Sequence, residues 1–446
     1  MDRRSLKQLD RHLEKYVDEM FSGMGRPERI ASLHGYVTGL LLDGERKSIV
    51  PMAARLVDDP SEVQAMRQRL QECVTVSRWS DGDLWTRLAR HVERRLPGIE
   101  AFVIDDTGFP KKGKCSVGVQ RQYSGTLGRI DNCQVAVSLH VAGEARSACI
   151  GMDLYLPESW AKDGERRRKT GVPEEIRFQE NWRISLDQLD RTLEAGVRRH
   201  VVLADAAYGD NGLFRAALDA RQLPFLLSVT PNAVVWSPDS NPESKPASET
   251  GLRTTRFIDK THPPISMAEL AKRLRYRKVS WREGSRGTQL SRFAAVRVRT
   301  AHRHIGGNQP GPWRWLLVEW AKSQSAPNKY WLSSLPEKTA LRTLIRLAKL
   351  RWRVERDYQE MKAEVGLDHF EGRTWRGFHH HVVLVATAHA FLALRRALFP
   401  PDHLDASRCS AAAPTNTISE ARKLPTVQQT LRPRQSSSCS VANVIK

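Results

Sequence analysis

The chain has 446 residues, 40% of them hydrophobic, which is enough apolar content for a real core but too long a chain for one ordinary core, so two or three domains are expected. Lysine and arginine number 71 against 50 acids, a formal charge of +21 spread along the sequence. That balance points to a polyanionic partner, nucleic acid, rather than to an anionic membrane surface, for which no lipidation motif or basic amphipathic anchor stands out. The six cysteines (Cys73, Cys115, Cys133, Cys149, Cys409, Cys439) show no CxxC or metal-ligand spacing, so a reduced, cytoplasmic protein is expected. The N-terminus lacks the apolar core of a leader peptide. The longest apolar run, Val382–Leu394, is too short to span a bilayer and predicts a buried helix.

Residues 1–95 read as a helical domain, expected to touch DNA. Leu6, Leu9, Leu13 and Tyr16 recur at helical spacing, and Pro27-Glu28 opens a second helix with Ile30, Leu33, Val37 and Leu41. Ser48–Leu56 and Ser61–Leu70 predict two short helices across a tight turn, compatible with a helix-turn-helix or with two members of a bundle.

The pattern changes near Gly98. Over 96–230 the chain reads as strands, helix, strand, helix, strand: Ala101–Ile104, Ser116–Tyr123, Cys133–Val141 and Ser147–Leu156 as strands, then a helix over Ser185–Val197, a strand over Val201–Ala204, a helix over Leu213–Leu223 and a strand over Phe225–Val229. Residues 231–328 predict a β-rich insertion containing a Ser/Pro/Asn-rich loop at Ser237–Gly251 and Arg-bearing strands. The 329–400 segment returns to the sheet and then predicts one long helix over Lys338–Val365 and another over Trp375–Phe399. The composition of 401–446 predicts an irregular tail. The fold class expected is α/β, a mixed sheet flanked by helices.

Three acids stand out. Asp106 and Asp205 each follow a short apolar strand, where open α/β sheets present functional groups. Glu355 sits in RWRVERDYQEMK (351–362) between two cations. At about 100° per residue, Arg351 lies about 40° and Lys362 about 20° from it on the helical wheel. Each has a plainer alternative: a turn or helix cap for the aspartates, an i,i+4 partner of Arg351 for the glutamate. Together they form a layout suited to metal-ion phosphoryl transfer, since hard divalent ions bind carboxylate oxygens and act on inert phosphodiesters. Strand alternation sends Asp105 and Asp106 to opposite faces, so only one of them is expected as a direct ligand, and Asp106 is the one chosen. Lys111, Lys112 and Arg121, near the first acid, are candidate phosphate contacts, with a solvated hairpin as the alternative. Trp313, Trp315 and Trp320 could stack on a base but are more simply core. His379, His380 and His381 could bind metal but read more plainly as a helix surface near DNA.

The segments IDDTGFPKKGKCSVGVQRQYSGTLG (104–128), VVLADAAYGDNG (201–212) and LRWRVERDYQEMK (350–362) resemble the DDE-type transposases of bacterial insertion sequences, in the cut-and-paste group with an RNase H-like core. The resemblance covers about residues 5–400. It implies that Asp106, Asp205 and Glu355 form the acid triad, holding two Mg²⁺ (or Mn²⁺) ions, and that Arg351 and Lys362 hold DNA phosphates. It also implies binding of terminal inverted repeats and target DNA, end cleavage with strand transfer, a homodimer on DNA, and a nucleoid-associated location. The family's helix carries a Tyr where this chain has Ala348; Tyr358, about 60° from Glu355 on the wheel, is a possible substitute or a core contact. The rivals are an inactive or repurposed DNA-binding protein of the same fold, and an RNase H-like nuclease that does not transpose.

Overall fold

In the computed structural model, residues 3–125, 128–244, 257–284, 287–301 and 310–398 are described; the expected tail, 401–446, lies outside them. Five helices come first: α1 (Arg3–Phe21), α2 (Pro27–Leu41), α3 (Ile49–Leu56), α4 (Val63–Thr75) and α5 (Asp81–Arg95). Ser80 caps α5 by accepting from Asp83 N, acids occupy its first turn and arginines its last, the arrangement that complements the helix dipole.

The remaining chain builds one twelve-stranded sheet. Its strands are β1 (Ala101–Pro110), β2 (Gln120–Ser124), β3 (Arg129–Ala142), β4 (Ser147–Leu154), β5 (Val201–Ala204), β6 (Phe225–Val229), β7 (Val234–Trp236), β8 (Ile265–Ser266), β9 (Arg277–Gly284), β10 (Gly287–Thr300), β11 (Arg314–Ala321) and β12 (Lys329–Ser333). The order is β8-β7-β10-β11-β12-β6-β5-β1-β3-β2, with β9 paired to β10 and β4 to β3. Pairing is parallel at β1/β5 and β5/β6 and antiparallel elsewhere. The sheet is therefore mixed, as expected for an RNase H-like fold. The strands of 231–328 do not form a separate layer: β10 and β11 continue the central sheet through β12.

Besides two short helices at Glu158–Ala161 and Gly164–Thr170, the helices between and after the strands are α6 (Asn181–Glu194), α7 (Ala206–Gly209), α8 (Gly212–Ala220), α9 (Met267–Lys272), α10 (Leu341–Leu350), α11 (Trp352–Ala363) and α12 (Trp375–Leu398). Alternation along the central strands splits the core. Phe102, Ile104, Val202, Ala204, Phe225 and Leu227 share one core with the N-terminal helices, α6, α8 and α12. Ala101, Val103, Leu203 and Leu226 face the other way, against α10 and Val354 of α11.

Two expectations need correction. The helix predicted over Lys338–Val365 breaks at Arg351 into α10 and α11, with a tight turn where Val354 N donates to Arg351 O. The apolar stripe explains the break: Leu344, Ile345, Leu347 and Ala348 press α10 onto the sheet, whereas beyond Val354 the inward positions of α11 carry polar groups, Asp357 and Glu360. The second concerns His379, His380 and His381, which are buried rather than on a DNA-facing surface. Helix α12 runs through the middle of the first core, and the N-terminal helices wrap around it. Tyr36 Oη and His381 Nδ1 are 2.9 Å apart, the Trp79 and His380 rings stack with centroids 3.7 Å apart, and Tyr16 Oη donates to Thr387 O at 2.9 Å. Burial lowers the pKa of His380 and of His381 to about 4, which keeps both imidazoles neutral.

Candidate active site

Strand β1 runs to Pro110 because β3 pairs with all of it, but its parallel neighbour β5 pairs only at Ala101–Val103. Beyond that point one edge of β1 opens into a crevice at the carboxyl end of β5, the usual place for a site in an open α/β sheet. Asp105 and Asp106 lie on this open stretch, inside the strand rather than past its end as expected. Asp205 follows β5 directly.

Strand alternation decides which face each acid of β1 takes. Val103 pairs with Leu203, and both lie in the α10/α11 core. Asp205 is still extended (φ −79°, ψ −174°). Alternation along β1 puts Asp105 on the face of Val103, while the β1/β5 pairing ends before Asp205, which stands just outside its strand and lines the same cavity as Asp105. Helix α11, carrying Glu355, crosses that face. Asp205 also caps α7, its Oδ1 accepting from Ala207 N at 3.0 Å. Gly209 ends that short helix, and a Cβ there would meet Ser228 O at 1.8 Å, so only glycine lets α7 dock on β6 this closely.

Asp106 points to the opposite face. Its Oδ1 accepts from Tyr208 Oη at 2.5 Å and its Oδ2 from Asn181 Nδ2 at 2.6 Å. Asp105 has a different partner: Arg351 Nη1 lies 3.1 Å from its Oδ1, an ion pair outside hydrogen-bond angles. Nη2 of the same arginine is 3.7 Å from Glu355 Oε1. The break between α10 and α11 is what puts this guanidinium between the two acids. Glu355 itself is open, its side chain 68% exposed.

Asp105, Asp106, Asp205, Arg351, Glu355, Tyr358 and Lys362 all line one cavity of about 1150 Å³. Its electrostatics follow from crowded carboxylates with little water around them. Burial pushes Asp105 up to about 7; Arg351 opposes the shift, while Asp205 and Asp106 add to it. Burial also pushes Asp106 up to about 6, and the bonds from Tyr208 and Asn181 hold it below where burial alone would leave it. Burial lowers the Lys362 pKa, and its Nζ donates to Gly108 O at 3.1 Å.

Of the basic candidates, Arg351 and Lys362 reach this cavity. Lys111, Lys112 and Arg121 do not line it: Lys111 donates to Phe370 O at 2.9 Å, and Lys112 and Arg121 are exposed on the neighbouring surface. The indoles of Trp313, Trp315 and Trp320 are half-buried under guanidinium groups, those of Arg299, Arg297 and Arg292. Ala348 packs into the sheet core ahead of the break. Sequence reasoning missed Asn181 and Tyr208. Tyr208 stands three residues after Asp205 in the same short motif, a readable signal; Asn181 carries none.

The donor set suits a hard divalent cation: several carboxylate oxygens around one cavity, with burial raising the proton affinity of Asp105 and Asp106 and room beside them. Among the described residues no three such groups converge closely enough to enclose an ion, because Glu355 turns outward. The site is an open one.

A family model described as DDE superfamily endonuclease matches residues 19–288. That span includes Asp105, Asp106 and Asp205 and stops short of Glu355. A probable transposase for insertion sequence element IS701, from Microchaete diplosiphon, is 28% identical over 230 residues, covering 50% of this chain and 55% of that protein. The chain thus matches about half the length of this relative.

Proposed function

The chain belongs to the DDE superfamily of endonucleases, and from that premise we propose that it is a transposase that cuts DNA at the terminal inverted repeats of its element and joins the freed ends to target DNA. The observation that carries this reading is one cavity lined by Asp105, Asp205 and Glu355 at the open end of β5, with Arg351 of the Glu355 helix paired to Asp105.

We assign Asp105, Asp205 and Glu355 as the carboxylates that hold divalent metal, Mg²⁺ or Mn²⁺. Such ions, when bound, activate the attacking oxygen and steady the leaving oxygen of an in-line displacement at phosphorus. We choose Asp105 over Asp106, the acid expected from sequence, because Asp105 pairs with Arg351 of the Glu355 helix, whereas both oxygens of Asp106, which lines the same cavity, are occupied by neutral donors. Asp106 then fixes the end of β1 against α6 and α7, and so steadies the turn that carries Asp205. Arg351, at the edge of the cavity, balances Asp105 and Glu355 and offers its guanidinium to phosphate oxygens, a geometry to which arginine is suited. Lys362 supplies a second cation. A net charge of +21 brings the polyanion in. Cleavage is attack by water, which leaves a 3′-hydroxyl; joining is attack by that hydroxyl on a second phosphodiester. Two ends must be held together for joining, so a homodimer on DNA is part of the reading.

The test is a supercoiled plasmid carrying the element's two ends, incubated with purified protein and Mg²⁺. Excised and joined products are expected. Cleavage without joining would favour a non-transposing nuclease. Binding to end DNA without cleavage in Mg²⁺ or Mn²⁺ would favour a DNA-binding protein that has kept only the fold.

A further inference from the structure

A chain of buried polar groups ties helix α11 to the strand opposite Asp105. Asp357, six residues after Arg351, is buried; its Oδ2 lies 2.7 Å from His140 Nδ1 and its Oδ1 accepts from Ser147 Oγ at 2.6 Å. His140 Nε2 lies 3.0 Å from Ser138 Oγ, and Ser138 Oγ lies 2.6 Å from Tyr358 Oη. Ser138 is the register partner of Asp105 across β1/β3, and its hydroxyl also donates to Asp105 O at 3.3 Å. The His140 and Tyr358 rings meet edge to face with centroids 5.5 Å apart. A charged group and three hydroxyls are thus sunk into a core that apolar side chains would fill at lower desolvation cost. Buried networks of this kind fix one arrangement of the elements they join.

We propose that Asp357, His140, Ser138 and Tyr358 are positioning residues that set the place of the Glu355 helix against the Asp105 strand. The inference rests on the assignment of Asp105 and Glu355 as metal-holding acids. Glu355 needs such support because its own side chain is exposed and its one ion pair among the described residues is the 3.7 Å contact with Arg351. Asp357 and Tyr358 follow Glu355 by two and three residues, so bonds made there fix the turn of helix from which Glu355 projects. Ser138 completes the tie by holding the peptide group of Asp105.

The experiment uses the full chain and two conservative variants, Tyr358→Phe and Ser138→Ala, neither of which strips the buried carboxylate of its histidine. Mn²⁺ binding is titrated directly on the protein without DNA, and end cleavage is measured alongside thermal midpoints. The expected result, read at a temperature where the variants stay folded, is a weaker Mn²⁺ affinity and a lower kcat, each by about tenfold as for other groups that orient metal ligands, with KM for end DNA nearly unchanged. A merely structural role would lower the midpoint and leave the Mn²⁺ affinity of the folded protein alone, and that result overturns the inference. So do variants that bind Mn²⁺ and cleave within twofold of wild type, while wild-type cleavage leaves the proposed function standing. A wild-type protein that neither binds Mn²⁺ nor cleaves would overturn the function and the inference together.

Discussion

Asp105 and Asp106 are neighbours in sequence and chemically identical, yet the two faces of β1 treat them differently. On one face Asp105 meets charge: Arg351 at 3.1 Å, with Asp205 and Glu355 around the same cavity. On the other, Asp106 meets neutral donors, Tyr208 and Asn181, at 2.5 and 2.6 Å. In the proposed reading, a carboxylate whose partners are a cation and other carboxylates can exchange them for metal and phosphate, and one held at both oxygens by neutral donors acts as a strut. The contrast teaches that chemically identical neighbours meet quite different partners on the two faces of one strand.

The largest effects should come from the charged face. Asp205→Asn and Glu355→Gln are each expected to cut the rate of end cleavage by about 10³-fold or more, in the range of losses seen when a preorganised electrostatic group is removed, with binding to end DNA retained; a single-turnover cleavage assay beside a gel-shift titration checks this. Either variant cleaving at more than a tenth of the wild-type rate would remove that residue from the acid set.

Arg351→Ala should come next, at about 10–100-fold, and with a pH signature. The guanidinium opposes the rise of the Asp105 pKa, so its loss moves that pKa above about 7. The deficit should be deeper at pH 7 than at pH 9, read from pH–rate profiles of wild type and variant. A deficit that is the same at every pH would mean that Arg351 acts on DNA alone.

The neutral face should yield smaller changes. Tyr208→Phe removes one donor to Asp106 and is expected to lower activity only a few-fold and to destabilise by about 1–3 kcal/mol, the cost of leaving one buried polar partner unpaired, seen in denaturant unfolding. Loss of activity as deep as that of Asp205→Asn, at unchanged stability, would move Asp106 to the catalytic side of the comparison.

The smallest effect is a linkage. Asp105 and Asp106 have folded pKa values near 7 and 6, above the usual 3.8. Between about pH 4 and 7 the folded state therefore binds more protons than the unfolded state, so these two groups lower stability as pH rises through that window. Bound Mg²⁺ offsets the repulsion, and should raise the thermal midpoint more at pH 8 than at pH 5. An equal shift at both pH values would place the ion elsewhere.

Much of this was legible in the sequence for local reasons. Apolar strand runs ending in acids located β1, β5 and the crevice between them, because β-branched runs and strand ends are set by short-range pattern. Asp205 proves to be both a helix cap and a cavity residue, and Glu355 both an i,i+4 partner of Arg351 and a cavity residue, so the plain readings and the functional ones coexist. What was not legible depends on distant pairing. The partners that distinguish Asp105 from Asp106, Arg351 on one side and Tyr208 and Asn181 on the other, come from distant segments that strand alternation alone cannot supply. The buried state of His380 and His381 rests on Trp79 and Tyr36, more than 300 residues earlier, and His379 meets Leu154, also far away in sequence. The break at Arg351 arises because the sheet under α10 ends where α11 turns to other partners. Asn181 had no local signal, being brought to Asp106 by the docking of α6.

The most direct measurement compares Asp105→Asn with Asp106→Asn in Mg²⁺-dependent cleavage of DNA bearing the element's ends, with wild type alongside. The account predicts cleavage by wild type, no detectable product from Asp105→Asn, and slower but measurable cleavage by Asp106→Asn. An inactive Asp106→Asn beside an active Asp105→Asn would contradict it.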